Sequence, residues 1–526
     1  MPGSADHTRG IPHLRQTHGS TQLIVDGRPF IILGGEVHNS SASSLAYMEP
    51  VWERIARLNC NAALVPVYWE LLEPAEGRYD FNLVDGLLAR AREHGLRLVL
   101  LWFGTWKNAL SSYTPAWVKT DPRRFPRAEI APGRAGHAVS SLSAEARLAD
   151  ARAFGALMRH LREMDGEEHT VVAVQVENEA GLLGASRDRS PAAEEAFAGH
   201  VPQELLSYLA AHEDELAEEL KAAREDAGRG TGGSWRQVFG PAADEAFMAW
   251  HVARYIDAVA AAGKAEYPLP MYVNAWLVQY PGEPPGSYPS GGPVSRMFDV
   301  WRCAAPHIDF FAPDIYLDDF AGVCASYTRA GNPLFIPEAR RDASAAANVF
   351  YALGRHGALC FSPFGIEDLA CGQDLSDGGA GEMLAGSYRL LAGMLPLIAA
   401  HQGTGRMTGL LRGEAEARLV ELGGYRLLVR FGALGRDSAA PGGGLVISPA
   451  DGRYIIAGHG FEVEFLPPGG SDAGLDFLRV EEGTYLEGRW SPGRRLNGDE
   501  GAAWEGRCRV RLGKEPGALE VELYTF

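Results

Sequence analysis

The chain has 526 residues, of which 46% are hydrophobic and 22% charged, and this composition is typical of globular proteins. It excludes a disordered or fibrous chain, and the length allows two or three domains. Acidic residues outnumber basic ones by 67 to 49, which gives a formal net charge of −18. Because such a surface repels phosphate backbones and anionic lipid, we expect neither nucleic acid nor a membrane as a partner.

Cysteine usage and the start of the chain point to a protein of the cytoplasm. The six cysteines form no C-x-x-C pair and no zinc-finger spacing. Residues 1–7 contain no basic cluster followed by an apolar stretch, so we expect no secretory signal and take a cytoplasmic location as the default. No window approaches the roughly 18 uninterrupted apolar residues of a membrane span.

The first four hundred residues repeat a short apolar run followed by a longer segment of helical periodicity. Runs that do not alternate belong to strands buried on both faces, which predicts a parallel sheet covered by helices. Eight such units close into a (β/α)8 TIM barrel, and an open doubly wound sheet is the alternative. The predicted strands cover residues 29–35, 62–67, 96–102, 171–176, 271–274, 308–313, 334–337 and 358–362.

Two further segments follow different patterns. Residues 181–267 carry leucines at helical spacing among acidic residues, which predicts a helical insertion over the barrel mouth. Beyond residue 403, short alternating runs at 425–431, 444–448, 461–465 and 519–526 are broken by Gly, Pro and Asp. We therefore predict a catalytic barrel over residues 1–403 and a smaller antiparallel β-sandwich over residues 404–526.

Chemistry in such a barrel is expected at the carboxyl ends of the strands. Asn178 and Glu179 directly follow a run that must be buried, and Glu338 follows another. Two carboxylates from opposite sides of a barrel can cleave a glycosidic bond, because one protonates the leaving oxygen while the other attacks the anomeric carbon. At a separation of about 5 Å the pair retains configuration, whereas about 6.5–9.5 Å leaves room for an inverting water. We predict retention, with burial and the neighbouring charge of Glu338 raising the pKa of Glu179.

Aromatic and amide side chains at the same ends are predicted to bind a sugar. The C–H faces of a sugar stack on aromatic rings, while its hydroxyls need amide and carboxylate partners. The predicted substrate-binding residues are Glu36, Tyr68, Trp69, Trp106, Asn108, Asn178, Asn274, Trp276, Tyr316 and Phe364.

Competing chemistries have weaker support in the sequence. The motifs G-x-S-x-G and H-E-x-x-H are absent. Only His38 and His307 lie near predicted strand ends, whereas a metal-dependent barrel hydrolase usually needs several histidines there. We expect no metal and no cofactor.

Three sequence motifs resemble those of the retaining glycoside hydrolases, and most closely those of the β-galactosidases of glycoside hydrolase family 35. The segment QVENEAG at 175–181 is similar to that family's Q-V-E-N-E-Y-G, GGEVH at 34–38 to S-G-E-I-H, and EPAEGRYDF at 73–81 to E-P-x-x-G-x-Y-D-F. The resemblance implies that Glu179 is the acid/base, Asn178 a donor to the sugar 2-hydroxyl and Glu338 the nucleophile, with Tyr316 hydrogen-bonded to Glu338. The chain departs from the family at Ala180, around Glu338 and at residues 103–108. Family 42, of the same clan, is the nearest competitor.

The resemblance implies an exo-acting β-galactosidase that removes terminal non-reducing β-D-galactose from oligosaccharides or glycosides. A homodimer is expected, because large barrel enzymes often pair through added β domains. The alternatives are a family 42-like β-galactosidase, a β-glucosidase, an α-L-arabinosidase, and a carbohydrate-binding barrel without catalysis.

Overall fold

Eight parallel strands close into a barrel, which confirms the predicted fold. The computed structural model describes residues 10–17, 19–228, 230, 232–369, 378–413, 417–431, 441–467, 469, 473–498 and 507–526. In chain order the strands of this part are β1 (His13–Thr17), β2 (Ser20–Val25), β3 (Arg28–Pro29), β4 (Ile32–Glu36), β5 (Ala62–Tyr68), β6 (Arg97–Lys107), β7 (Arg127–Ala131), β8 (Arg134–Val139), β9 (Val171–Asn178), β10 (Met271–Trp276), β11 (Phe310–Ile315), β12 (Phe335–Ala339) and β13 (Cys360–Pro363). The barrel runs β4-β5-β6-β9-β10-β11-β12-β13, and β13 pairs with β4.

Two barrel strands differ from their predicted bounds. The first begins at Ile32 rather than at residue 29, because Pro29 belongs to a separate sheet formed by β1, β2 and β3. The third, β6, continues past residue 102 to Lys107, and its register against β9 shifts between Trp102 and Lys107. This irregularity carries the end of β6 into the barrel mouth.

Helices connect the barrel strands and cover the outer face. They are α1 (Leu45–Arg57), α2 (Trp69–Leu72), α3 (Asn82–Glu93), α4 (Ala116–Lys119), α5 (Ala144–Asp165), α6 (Pro191–Ala198), α7 (Gln203–Ala211), α8 (Glu218–Asp226), α9 (Trp235–Phe239), α10 (Ala243–Glu266), α11 (Phe298–Ala304), α12 (Phe320–Tyr327), α13 (Ala345–His356) and α14 (Ala380–His401). In α5 the Ser143 side chain caps the amino end by accepting from the Ala146 N–H, and Phe154, Leu157 and Leu161 face the core at helical spacing.

The described residues of the predicted insertion form five α-helices, and the last of them belongs to the barrel. Helix α10 packs along α5 and leads directly into β10, so it is the helix that connects the fourth and fifth barrel strands. The added segment is therefore α6 to α9. Helix α8 packs against the turn Ser295–Met297 on the carboxyl side of β10.

Helix α14 is the one helix in the described part of the chain that is long and apolar enough to cross a membrane. It follows β13 and packs against α13 and β20 (Leu475–Leu486). Its Tyr388 hydroxyl lies between the carbonyl oxygens of Gly34 and Phe361 in two barrel strands, at 2.9 and 3.0 Å. These contacts are those of a barrel helix, and a buried core helix can be as long and apolar as a membrane-spanning one.

Within the C-terminal part, the residues that the structure describes form two antiparallel sheets, as predicted. Its strands are β14 (Met407–Leu411), β15 (Ala417–Leu422), β16 (Tyr425–Phe431), β17 (Gly443–Ala450), β18 (Arg453–His459), β19 (Phe461–Leu466), β20, β21 (Arg489–Arg495), β22 (Cys508–Leu512) and β23 (Gly517–Thr525). The order is β14-β17-β18-β23-β20-β21 in one sheet and β15-β16-β19-β22 in the other. Tyr454 and Ile456 of β18 pack between the sheets, whereas Ile455 and Ala457 join the barrel core. The six-stranded sheet is therefore covered on both faces.

Candidate active site

A cavity of about 360 Å³ opens at the carboxyl ends of the barrel strands. Its size falls within the usual range for small-molecule sites. The lining residues are Asn39, Lys107, Asn108, Glu179, Trp276, Leu277, Gln279, Asp314, Tyr316, Glu338 and Phe364.

Glu179 enters this cavity from a strained position just after β9. Every residue of β9 is buried, and Glu179 adopts a left-handed φ of 46°. Its N–H donates to Asn274 Oδ1 at 2.9 Å, and its carbonyl accepts from the Ala109 N–H at 3.0 Å. Left-handed backbone at a residue other than glycine costs on the order of 1–3 kcal/mol, and these bonds hold it in place.

Three carboxylates meet in the cavity, and we call Glu179, Asp314 and Glu338 the carboxylate cluster. One oxygen of each lies within 4.8 Å of the others. Asp314 and Glu338 are register partners on the neighbouring strands β11 and β12, and Asn274 Nδ2 donates to Asp314 Oδ2 at 2.8 Å. Tyr316 donates its hydroxyl to Glu338 Oε2 at 2.6 Å, which orients that carboxylate. Asp314 is not among the residues predicted from the sequence.

Burial and mutual repulsion alter the protonation of this cluster. Burial, and then the charge of Glu338, raise the pKa of Glu179 to about 7, although Lys107 and a hydrogen bond to Asp314 act in the opposite direction. Burial and the charges of Glu338, Glu179 and Glu36 raise the pKa of Asp314 well above its usual range. Glu179 is therefore substantially protonated at neutral pH.

Lys107 is, after Asp314, a second lining residue that the sequence reasoning missed. It ends β6, is 6% exposed, and lines the cavity. The Asn178 side-chain amide lies 3.0 Å from its Nζ, and the Phe103 ring centroid lies 4.9 Å from Nζ. Its charge opposes the rise in pKa of Glu36, Glu179 and Asp314. The sequence signal that could have identified Lys107 is its position as a charged residue soon after the third apolar run.

Three of the predicted binding residues lie just behind the lining side chains. Asn178 and Asn274 are buried, and the Asn274 amide links Glu179 to Asp314. Glu36 is 1% exposed, and neither of its carboxyl oxygens has a hydrogen-bond partner among the described residues. Burial, and then the charge of Glu338, raise its pKa well above the usual range.

Three predicted aromatic residues do not line the cavity, and their expected contact with the sugar is corrected. Trp69 and Trp106 are buried: the Trp69 indole donates to Glu73 Oε2 at 2.8 Å, and Trp106 packs edge-to-face on Tyr255. Tyr68 donates to the carbonyl oxygen of Asn39 at 2.8 Å and so supports a lining residue. Trp69 starts α2 and turns inward, where its ring meets the core. Asn108, Trp276, Tyr316 and Phe364 do line the cavity.

Two buried carboxyl groups, those of Glu177 and Asp150, accept hydrogen bonds from residues near the end of β6. Glu177 Oε2 accepts from the Trp106 N–H at 2.6 Å, and Asp150 Oδ1 accepts from the Trp102 indole at 2.8 Å. Burial raises the pKa of both carboxyl groups. Gly104 passes so close that an added Cβ would lie 2.4 Å from the Trp102 Nε1 and 2.6 Å from Glu177 Oε1. Residues 103–108, where the chain departs from the family 35 pattern, thus include a bulged strand end that places Lys107 at the cavity.

The carboxylate cluster also has the donor set of a divalent cation site, since three hard oxygen ligands lie within reach of one ion. The Lys107 ammonium already supplies positive charge beside it. Glycoside cleavage by two carboxyl groups needs no further cation.

Comparison with known proteins points to the same class of enzyme. The family model Glyco_hydro_42, described as β-galactosidase, matches residues 46–222, and a domain of unknown function (DUF5597) matches residues 384–504. A β-galactosidase of Xanthomonas manihotis is 31% identical over 83 residues, which span 15% of this chain and 14% of that protein.

The solved structures that match this chain include several β-galactosidases. That of the psychrophilic Marinomonas ef1 has a TM-score of 0.45 and 13% identity, covering 70% of this chain and 60% of that one. A catalytic mutant of Gan42B, a GH42 β-galactosidase from G. stearothermophilus, has a TM-score of 0.48 and 12% identity, covering 94% and 98%. The glycosidase class predicted from the sequence agrees with the family match. The matching family model is that of family 42, the predicted competitor, and not that of family 35.

Proposed function

We propose that this chain is a retaining, exo-acting β-galactosidase of the family 42 type. The observation that carries the proposal is the spacing of the carboxylate cluster: one carboxyl oxygen of Glu179 lies within 4.8 Å of one carboxyl oxygen of Glu338. Retaining glycosidases place their two carboxyl groups about 5–5.5 Å apart, whereas inverting ones need about 6.5–9.5 Å. The family match over residues 46–222 supports the choice of galactose.

In the first step Glu338 attacks the anomeric carbon while the bond from that carbon to the leaving oxygen breaks. Glu179 gives its proton to the leaving oxygen, which departs as an alcohol. A pKa of about 7 keeps much of Glu179 protonated for this purpose at neutral pH. Tyr316 orients the attacking carboxylate through its 2.6 Å hydrogen bond.

In the second step water enters, Glu179 takes its proton, and the oxygen attacks the anomeric carbon. The bond to Glu338 breaks and galactose leaves with its original configuration. The Trp276 and Phe364 rings offer faces for the sugar's C–H groups, while Asn108 and Lys107 offer hydrogen-bond donors to its hydroxyls.

Hydrolysis of four nitrophenyl glycosides tests this function: the β-galactoside, α-arabinoside, β-glucoside and β-fucoside. Wild type is compared with Glu179→Gln, Glu338→Ala and the control Glu53→Gln, whose side chain is 63% exposed on α1. We expect the β-galactoside to be cleaved fastest, with loss in both site variants and none in the control. Azide should restore turnover to Glu338→Ala and give a galactosyl azide of inverted configuration, because azide replaces the missing nucleophile. Preference for another glycoside would change the sugar, and absence of any turnover by wild type would leave a binding barrel.

A further inference from the structure

A second, larger cavity adjoins the catalytic cavity. Its volume is about 830 Å³, against about 360 Å³ for the first. Gln279 and Tyr316 line both, so the two spaces meet at these side chains. Tyr316 is hydrogen-bonded to Glu338, which must reach the anomeric carbon in the proposed reaction. The second cavity therefore opens beside the anomeric centre, where the leaving group is attached.

The walls of this cavity come from segments that surround the barrel mouth. The helical insertion contributes Glu219 of α8, and the segment after β12 contributes Arg340. The loop after β10 contributes Tyr280, whose side chain is 70% exposed although it belongs to this concave surface. A solvent-exposed aromatic ring beside a polar cavity can stack against the C–H face of a pyranose.

The charged groups of the cavity favour a neutral polyol over an anion. The lining contains two arginines, Arg296 and Arg340, and three carboxylates, Glu219, Asp318 and Asp319, so it carries no excess of positive charge. Arg340 Nη1 donates to Asp318 Oδ1 at 2.7 Å, which leaves other guanidinium N–H groups and carboxylate lone pairs for a ligand. Guanidinium donors and carboxylate acceptors in one cavity suit the hydroxyl groups of a sugar, because each hydroxyl both donates and accepts.

We propose that this cavity binds the neutral sugar units of the leaving group, with Tyr280 stacking on the first of them. The natural substrate is then an oligosaccharide that extends beyond the scissile bond, and the insertion α6–α9 serves to build one wall of the binding site. This inference rests on the proposed function, because it assumes that the cleaved sugar occupies the cavity of Glu179 and Glu338.

The test compares two substrates that share the scissile sugar, methyl β-galactoside and a trisaccharide ending in a β-linked galactose. The variants are Tyr280→Ala and Glu219→Gln, with Tyr524→Ala as the control, since Tyr524 is 42% exposed on β23 of the sandwich. We expect Tyr280→Ala to lower kcat/KM for the trisaccharide roughly 3- to 10-fold. Its kcat/KM for the methyl glycoside should stay within about twofold of wild type, because no second ring is present. Glu219→Gln should show the same selective loss, and the control should show none.

The outcomes separate this inference from the proposed function. If wild type cleaves the methyl glycoside but Tyr280→Ala changes both substrates equally, or neither, the second cavity does not bind the leaving group and the proposed function stands. If wild type cleaves neither substrate, the proposed function itself fails. A selective loss with the trisaccharide supports both.

Discussion

Replacing Glu179 by Gln should remove activity and, at alkaline pH, stabilise the fold. Folding moves the pKa of this carboxyl group from 4.5 to about 7, mainly because it is buried beside Glu338. The difference of about 2.5 pH units corresponds to about 3 kcal/mol at about 1.36 kcal/mol per unit. The folded state holds this proton more tightly than the unfolded state, so the wild type loses stability as pH rises from about 4.5 to 7.

The magnitude depends on pH in a defined way. At pH 8 the unfolded carboxyl is fully ionised and the wild type carries nearly the whole cost, about 3 kcal/mol, whereas at pH 5 the cost is only about 1 kcal/mol. Glutamine has no proton to lose and avoids this cost. The stability of Glu179→Gln relative to wild type should therefore increase by about 2 kcal/mol between pH 5 and pH 8.

Urea unfolding at the two pH values, followed by intrinsic fluorescence, measures this difference. Glu53→Gln is the control, because its exposed side chain should give the same small effect at both pH values. A Glu179→Gln variant whose relative stability stays constant or falls from pH 5 to pH 8 would refute the reasoning that burial holds this proton. In the same reasoning, wild-type kcat/KM should decline above about pH 7, because the acid form of Glu179 disappears.

Three further changes test other parts of the site. Tyr316→Phe removes the hydroxyl that donates to Glu338. It should lower kcat/KM about 10- to 100-fold, which corresponds to the roughly 1.5–3 kcal/mol of a hydrogen bond to a charged group. Dialysis against EDTA should leave kcat within about twofold, because the cleavage needs no cation; a large loss restored by Mg²⁺ would instead place an ion in the carboxylate cluster. Gly104→Ala should destabilise the fold by about 1–3 kcal/mol through overpacking against Glu177, measured by urea unfolding, whereas Gly513→Ala, with nothing within 4 Å of the added Cβ, should be nearly neutral.

The local pattern of the sequence determined the barrel and its most prominent acid groups. Each barrel strand falls on a predicted apolar run, because a strand buried on both faces has no polar positions to interrupt it. The residues that directly follow such a run must leave the core at the barrel mouth, and this places Glu179 and Glu338 at the cavity. Alternation in the last hundred residues determined the sandwich in the same way.

Tertiary structure decided which of the strand-end residues meet. Asp314 lies beside Glu338 only because β11 and β12 pair in one particular register, which no single run encodes. Lys107 reaches the cavity because the register of β6 against β9 shifts, whereas the apolar run in the sequence predicts that this strand ends at residue 102. Trp69 and Trp106 looked equally suitable for sugar binding, yet they pack into the core, since the direction of a side chain after a strand depends on the turn that follows. Sequence determines which residues leave the core, because burial is a local property of a strand, whereas distances between side chains far apart in the chain exist only once the barrel has closed.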